Sequence, residues 1–136
     1  MLLWTLCQAA AGPAADDLRA VLERRTADGD ELAIAAVCDY EARRELLRKG
    51  ANSQLKRLDE LRAYTLFVPF RDAAMRQAAV IWAQLRNTGQ PIGHPEALDG
   101  DVILAAHAKE YSDHVVVTEN LDHVSRVCNA VHWQAL

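Results

Sequence analysis

Glu41 and Asp101 are the acidic residues whose surroundings best suit a carboxylate to chemistry. The spacing puts Glu41 in the first turn of a helix that follows a short apolar run. It puts Asp101 in the first turns of a helix that follows a Pro-Gly-Pro loop. Should the chain bring the two within a few ångströms, their repulsion must be relieved by a proton or a cation. A hard divalent ion, Mg²⁺ or Mn²⁺, suits carboxylate and water ligands, whereas the scattered histidines and cysteines offer no zinc set. Asp99 lies two residues before Asp101, about 200° away on a regular helix, so both face one ion only if the helix starts between them. The same placements have an ordinary structural reading. An acid in a first turn stabilises the helix by about 0.3 to 1 kcal/mol, and Asp39 and Asp99 suit helix caps.

A second feature is basic. Between Arg43 and Arg62 stand Arg43, Arg44, Arg48, Lys49, Lys56, Arg57 and Arg62 against Glu45, Asp59 and Glu60, a local excess of four positive charges. Such a stretch could grip phosphates, although a solvated helical face is the favoured reading when the residues are taken alone. The whole chain carries a net charge of −4, which argues against a protein that coats nucleic acid through bulk electrostatics.

The elements that must position these groups can be read from periodicity. Pro13 opens a helix with Leu18, Val21 and Leu22 on one face and Gly29 near its end. Leu32 to Val37 reads as a buried strand, Asp39 to Lys49 as a helix closed by Gly50, and Ser53 to about Ala63 as a helix capped by Ser53. Thr65 to Phe70 suits a strand, Asp72 to Thr88 a helix, and Gln90 to Glu96 a loop. A helix from Leu98 to about Tyr111, a strand from Val115 to Thr118, a short helix from Leu121 and a last strand within Ala130 to Leu136 complete the chain. Short apolar strands separated by helices imply parallel pairing and a three-layer α/β/α fold with a parallel central sheet. In such a sheet the functional crevice lies beyond the carboxyl ends of the strands, where both candidate acids fall.

At 136 residues, 51% of them hydrophobic and 25% charged, the chain suits one compact domain. The apolar opening MLLWTL has no basic residue before it and is too short for a signal peptide or membrane span, so a cytoplasmic location is the expectation. Three widely separated cysteines indicate buried thiols rather than disulfides.

Three segments, CDYEARREL (38–46), ALDGDVILAAHA (97–108) and VVVTENLDHV (115–124), resemble in order and spacing the acidic motifs of PIN domains, the fold of many toxin–antitoxin toxins of the VapC type. The distinctive part is Asp-x-x-x-Ala-Ala a short distance before a strand ending Val-Thr-x-Asn. The resemblance implies that Glu41 and Asp101 are catalytic metal ligands, that Asp99 is a ligand or a supporting group, and that Thr118 and Asn120 shape the site floor and order the neighbouring acid. His123, beside Asp122, stands where the family often carries Asp. PIN domains also open with a strand ending in Asp. MLLWTL looks like the segment after that strand, so the expectation is a single PIN-like domain over 1–136, N-terminally incomplete and without the first strand and its Asp.

The implied activity is Mg²⁺- or Mn²⁺-dependent hydrolysis of phosphodiester bonds in single-stranded or looped RNA, with Arg43, Arg44, Arg48 and Thr118 contacting substrate. The implied partners are RNA and an antitoxin or other protein. An exposed Trp4 or Trp82 would mark a homodimer face, and no membrane is involved. The missing Asp supports an alternative, a catalytically impaired PIN-like module that binds RNA or a protein. A receiver-like signalling domain is disfavoured, because no strand ends in an isolated Asp followed later by a strand-end Lys.

Overall fold

The computed structural model describes residues 2–4, 13–89, 98–111 and 113–136, with the backbone alone at 2–4, 13–15 and 98–99. Five strands, β1 (Leu2–Trp4), β2 (Leu32–Ala35), β3 (Leu66–Val68), β4 (Val115–Thr118) and β5 (Ala130–His132), form one parallel sheet in the order β3-β2-β1-β4-β5. The described residues form six helices: α1 (Pro13–Ala27), α2 (Ala36–Arg48), α3 (Asn52–Tyr64), α4 (Asp72–Asn87), α5 (Leu98–Lys109) and α6 (Leu121–Val124). A 3₁₀ turn, Trp133–Ala135, ends the chain. The α/β fold with a parallel sheet is the one the strand and helix pattern predicts.

The central strands are buried along consecutive residues rather than alternate ones. Ala33, Ile34 and Ala35 of β2, and Val116, Val117 and Thr118 of β4, are all nearly inaccessible. That is the mark of a parallel sheet covered on both faces. One core packs Cys38, Val68, Leu104 and Val124 against it, and another packs Leu18, Leu22 and Trp133 against Val117. The third core is the seam between α4 and α5, where Ala74 and Ala78 meet Ala105 and Ala106. Small side chains on both helices let the axes approach closely, which is the packing reason for the Ala-Ala pair after Asp101.

The most consequential difference from the sequence reading concerns β1. The first strand, expected to be missing, occupies the centre of the sheet, with Trp4 in register with Ile34 on one side and Val117 on the other. Leu2–Trp4 is itself the strand, a short apolar segment in which no periodicity can show. What is absent is a carboxylate at its end, since no Asp or Glu precedes Asp16. Helix α2 also begins three residues earlier than expected, at Ala36, so β2 is shorter and Glu41 falls in the second turn rather than the first. Asp39 is then inside the helix and caps nothing. At α3 the N-cap is Ala51, not Ser53. The expected loop Gln90 to Glu96 lies outside the described residues.

His107 is wholly buried near the end of α5, its ring tilted against Phe70 at 5.3 Å between centroids. Neither ring nitrogen has a hydrogen-bond partner among the described residues. Burial lowers its pKa, only partly opposed by Glu110. The unfolded chain therefore takes up a proton that the folded protein resists, so this contribution to stability is complete above about pH 6.5 and is lost as pH falls below it. His107→Leu removes two unsatisfied nitrogens at similar volume. It is expected to stabilise the protein by about 1 kcal/mol or more and to flatten the acid side of the stability profile, as read by urea denaturation between pH 7.5 and 5.

Candidate metal centre

The order β3-β2-β1-β4-β5 reverses direction between β1 and β4, and a crevice opens at such a switch point beyond the carboxyl ends of the strands. Asn120 and His123 follow β4 there, Glu41 comes from α2 after β2, and Asp101 comes from the first turns of α5.

Gly100 brings the two acids together. A Cβ built on it would collide with Glu41 Oε1 and stand 3.0 Å from Glu41 Cδ, so the Glu41 carboxylate rests directly on the α5 backbone. Gly100 has no left-handed backbone. A glycine inside a helix costs about 1 kcal/mol relative to alanine, and here the close approach explains it. One residue on, Asp101 has its side chain only 19% exposed. Burial raises its pKa first of all, and the charge of Glu41 raises it further, while His123 and Asn120 oppose both. The like-charge approach expected from the sequence is therefore present.

Asn120 orders this acid. Its backbone N–H donates to Thr118 Oγ1 at 3.0 Å, closing the turn after β4, and its Nδ2 donates to Asp101 Oδ2 at 3.0 Å. The same amide nitrogen lies 2.9 Å from His123 Nδ1, which itself stands 3.5 Å from Asp101 Oδ2. An amide nitrogen has two hydrogens, one of which serves the carboxylate, and Asn120 and His123 both stand against the same oxygen of Asp101. Thr118 is 3% exposed and its hydroxyl is used within the turn. Its hydroxyl thereby holds Asn120 in place beside Asp101. The side chain of Asp99 lies outside the described residues.

The three arginines separate. Arg43 stands about 200° from Glu41 around the helix, given 3.6 residues per turn, and faces α3. Its Nε and Nη2 donate to the two oxygens of Asp39, at 3.1 and 3.0 Å, and Nη2 also donates to Asp59 at 2.8 Å. Asp39 is buried, with Arg62 at 3.9 Å from it, so the network ties α2 to α3. This turns Arg43 from the expected phosphate contact into a structural one. Arg48 is paired with exposed Glu45, whose carboxyl it holds down at about 2. Arg44 makes no ion pair among the described residues and lies 5.3 Å over the Tyr40 ring.

Two carboxylates, one of them raised by burial and by the other's charge, fit a hard divalent cation by donor chemistry. The set is thin: among the described residues no three His, Cys, Asp or Glu side chains stand together as a metal site. Sequence reasoning missed Gly100 and the structural use of Arg43. The first was signalled by a glycine within a helical segment beside a candidate ligand, and the second by Asp39 and Arg43 at i, i+4 spacing.

Gly100→Ala is expected to favour α5 by about 1 kcal/mol of helix propensity while displacing Glu41. Divalent-ion binding, followed by calorimetry, should weaken at least tenfold although the helix gains. Arg43→Ala, by contrast, is expected to lower stability by about 2 kcal/mol, less than for a fully buried pair because the arginine is partly exposed. Its ion binding per folded molecule should stay at the parent level.

The family model of the PIN domain matches residues 3–129. In fold, the chain is similar to one in the structure of VapBC2 from Rickettsia felis bound to a DNA fragment from their promoter. The TM-score is 0.70 at 16% identity, with 98% of this chain and 99% of that chain covered. It is similar also to a chain of FitAcB from Neisseria gonorrhoeae, at TM-score 0.70, 20% identity and 100% of each chain. A chain of DNA-bound VapBC from Salmonella typhimurium gives TM-score 0.69 at 19% identity, with 97% of each covered. No curated protein sequence matches. With the family model spanning nearly all of the sheet and the candidate metal centre, the chain belongs to the PIN domain family.

Proposed function

We propose that this chain is a metal-dependent endoribonuclease that hydrolyses phosphodiester bonds in single-stranded or looped RNA. The observation that carries the reading is the seat of Glu41 on Gly100 beside Asp101, two carboxylates held against their repulsion at the switch point of a parallel sheet. Mg²⁺ or Mn²⁺ held there supplies an acidified, positioned water and offsets charge on the phosphate. Glu41 and Asp101 are the ligands, and Asp99 is a further donor from the start of α5. Asn120 fixes the rotamer of Asp101 through its amide, the supporting role that keeps a ligand in place. Arg44 and Arg48, on the side of α2 that borders Glu41, contact the RNA backbone, which gives affinity without much sequence choice. A single strand bends into such a crevice more readily than a duplex. The similarity to chains of VapBC assemblies supports an antitoxin-type protein partner.

A second reading has its own observation. No carboxylate ends β1, and the described donors number fewer than three. On that reading the domain binds RNA or a protein without cutting.

The two readings part on one experiment. The nuclease should cleave single-stranded RNA with Mn²⁺, lose at least a hundredfold in rate in Asp101→Asn, and regain nothing from excess metal. Mn²⁺ should also raise the thermal midpoint of the parent by several degrees and leave that of Asp101→Asn unmoved, because only a folded site gains from the ligand. Asp101→Asn without metal should itself melt higher than the parent, since it removes a buried charge facing Glu41. RNA binding without cleavage at any metal concentration, and an unmoved midpoint in the parent, would establish the binding module.

A further inference from the structure

The exposed side of α2 carries a feature that the metal centre does not use. Tyr40 precedes Glu41 in sequence and is 61% exposed, so its ring face is open beside the two acids' helix. Arg44, one turn on, lies with its guanidinium carbon 5.3 Å from the Tyr40 ring centroid. It borders Glu41 on the other side, three residues along the helix. Among the described residues the contacts that fix α2 do not use the pair: α2 is held to α3 by Asp39, Arg43 and Asp59 and rests on α5 through Glu41 and Gly100. Of the three arginines on α2, Arg44 is the one whose charge is not taken up by a carboxylate among the described residues, since Arg43 is bound by two and Arg48 by Glu45.

An open aromatic ring with a cation beside it, next to carboxylates that hold a metal, matches the chemistry of one kind of ligand. A nucleobase stacks on the ring or on the guanidinium plane, and the cation attracts the adjoining phosphate. We infer that Tyr40 and Arg44 form a stacking subsite for an unpaired base of single-stranded RNA, adjacent to the phosphate at Glu41 and Asp101. The inference rests on the ribonuclease reading and specifies how the substrate is held. It also gives a physical reason for preferring single strands, because a base locked in a duplex has no free face to offer.

The test is binding rather than cleavage. Fluorescence anisotropy of a labelled, unstructured RNA oligomer is measured in chelator with the full chain, alongside an abasic oligomer of equal length that keeps the sugar-phosphate backbone. The parent should bind the base-bearing strand about tenfold more tightly than the abasic one, as expected for a single stacked base. Tyr40→Ala should abolish that preference and leave abasic binding unchanged. Tyr40→Phe should keep the preference, and Arg44→Ala should weaken both oligomers. Equal binding of the two oligomers by the parent would overturn the subsite without recourse to any variant. So would a Tyr40→Ala protein, folded by its melting curve, that retains the preference. A parent that cleaves RNA with Mn²⁺ yet shows neither effect leaves the nuclease standing and removes only the subsite. A parent that binds neither oligomer and cleaves nothing removes both.

Discussion

Two negative charges are made to approach where water is scarce, and most of the surrounding structure serves to hold them there. Glu41 and Asp101 are distant in sequence and on different helices, and the charge of Glu41 raises the cost of ionising Asp101. Left to local forces, the side chains would swing apart into solvent. They do not because α5 cannot back away from the sheet, being seamed to α4 through Ala74, Ala78, Ala105 and Ala106. Helix α2 cannot roll either, since its opposite side is fastened to α3 by the bidentate Asp39–Arg43 pair and Asp59. Asn120, itself fixed by Thr118, fastens one oxygen of Asp101. Each restraint lies outside the carboxylate pair and acts on the element that carries one of its members.

Charge on α2 is accordingly divided by direction. The side facing α3 spends its charges on one another, and the exposed side keeps Arg44 and Arg48 near solvent. A run of basic residues read along the sequence hides that division, because formal charge does not say which cations already have partners. The helical wheel does say it. At 3.6 residues per turn, Arg43 points nearly opposite to Glu41, Arg44 lies within a quarter turn of it, and Arg48, seven residues on, returns to almost the same direction. The field available to a phosphate is therefore smaller than the local excess of four suggests, and it lies on one side of Glu41.

Much of the architecture was legible because it depends on patterns that short windows preserve. Consecutive apolar residues in Leu32–Ala35 and Val115–Thr118 signal strands buried on both faces, and the alternation with helices signals parallel pairing. Boundaries were harder. Val37 and Cys38 continue the apolar run of β2 but belong to α2, and no capping side chain marks the change. The first strand was not legible because three apolar residues are compatible with almost any element, and only pairing on both sides with β2 and β4 defines it. Within the site, the acids were legible by type and spacing. Gly100 was not, because its reason is the arrival of Glu41 from elsewhere in the chain. The role of Arg43 was hidden too, because the burial of an acid one turn away is a fact of the fold.

The position of β1 bears on the balance between affinity and strain. The switch between β1 and β4 places the end of β1 at the mouth of the crevice, and no Asp or Glu precedes Asp16 to bring a carboxylate there. A third acid there would bind a cation more tightly, but without the ion it would add another repulsion to a pair already opposed by burial. The neighbours actually present, Asn120 and His123, offer an amide donor and an imidazole to Asp101 instead of more negative charge. On the proposed reading, such a centre would hold its shape without the metal and bind it less tightly, so its occupancy would depend more on ion concentration and on the phosphate that arrives with the substrate. The phosphate contacts proposed for α2 would then matter more than in a site with three acids, because an RNA strand anchored beside Glu41 would supply oxygen ligands that the two carboxylates do not.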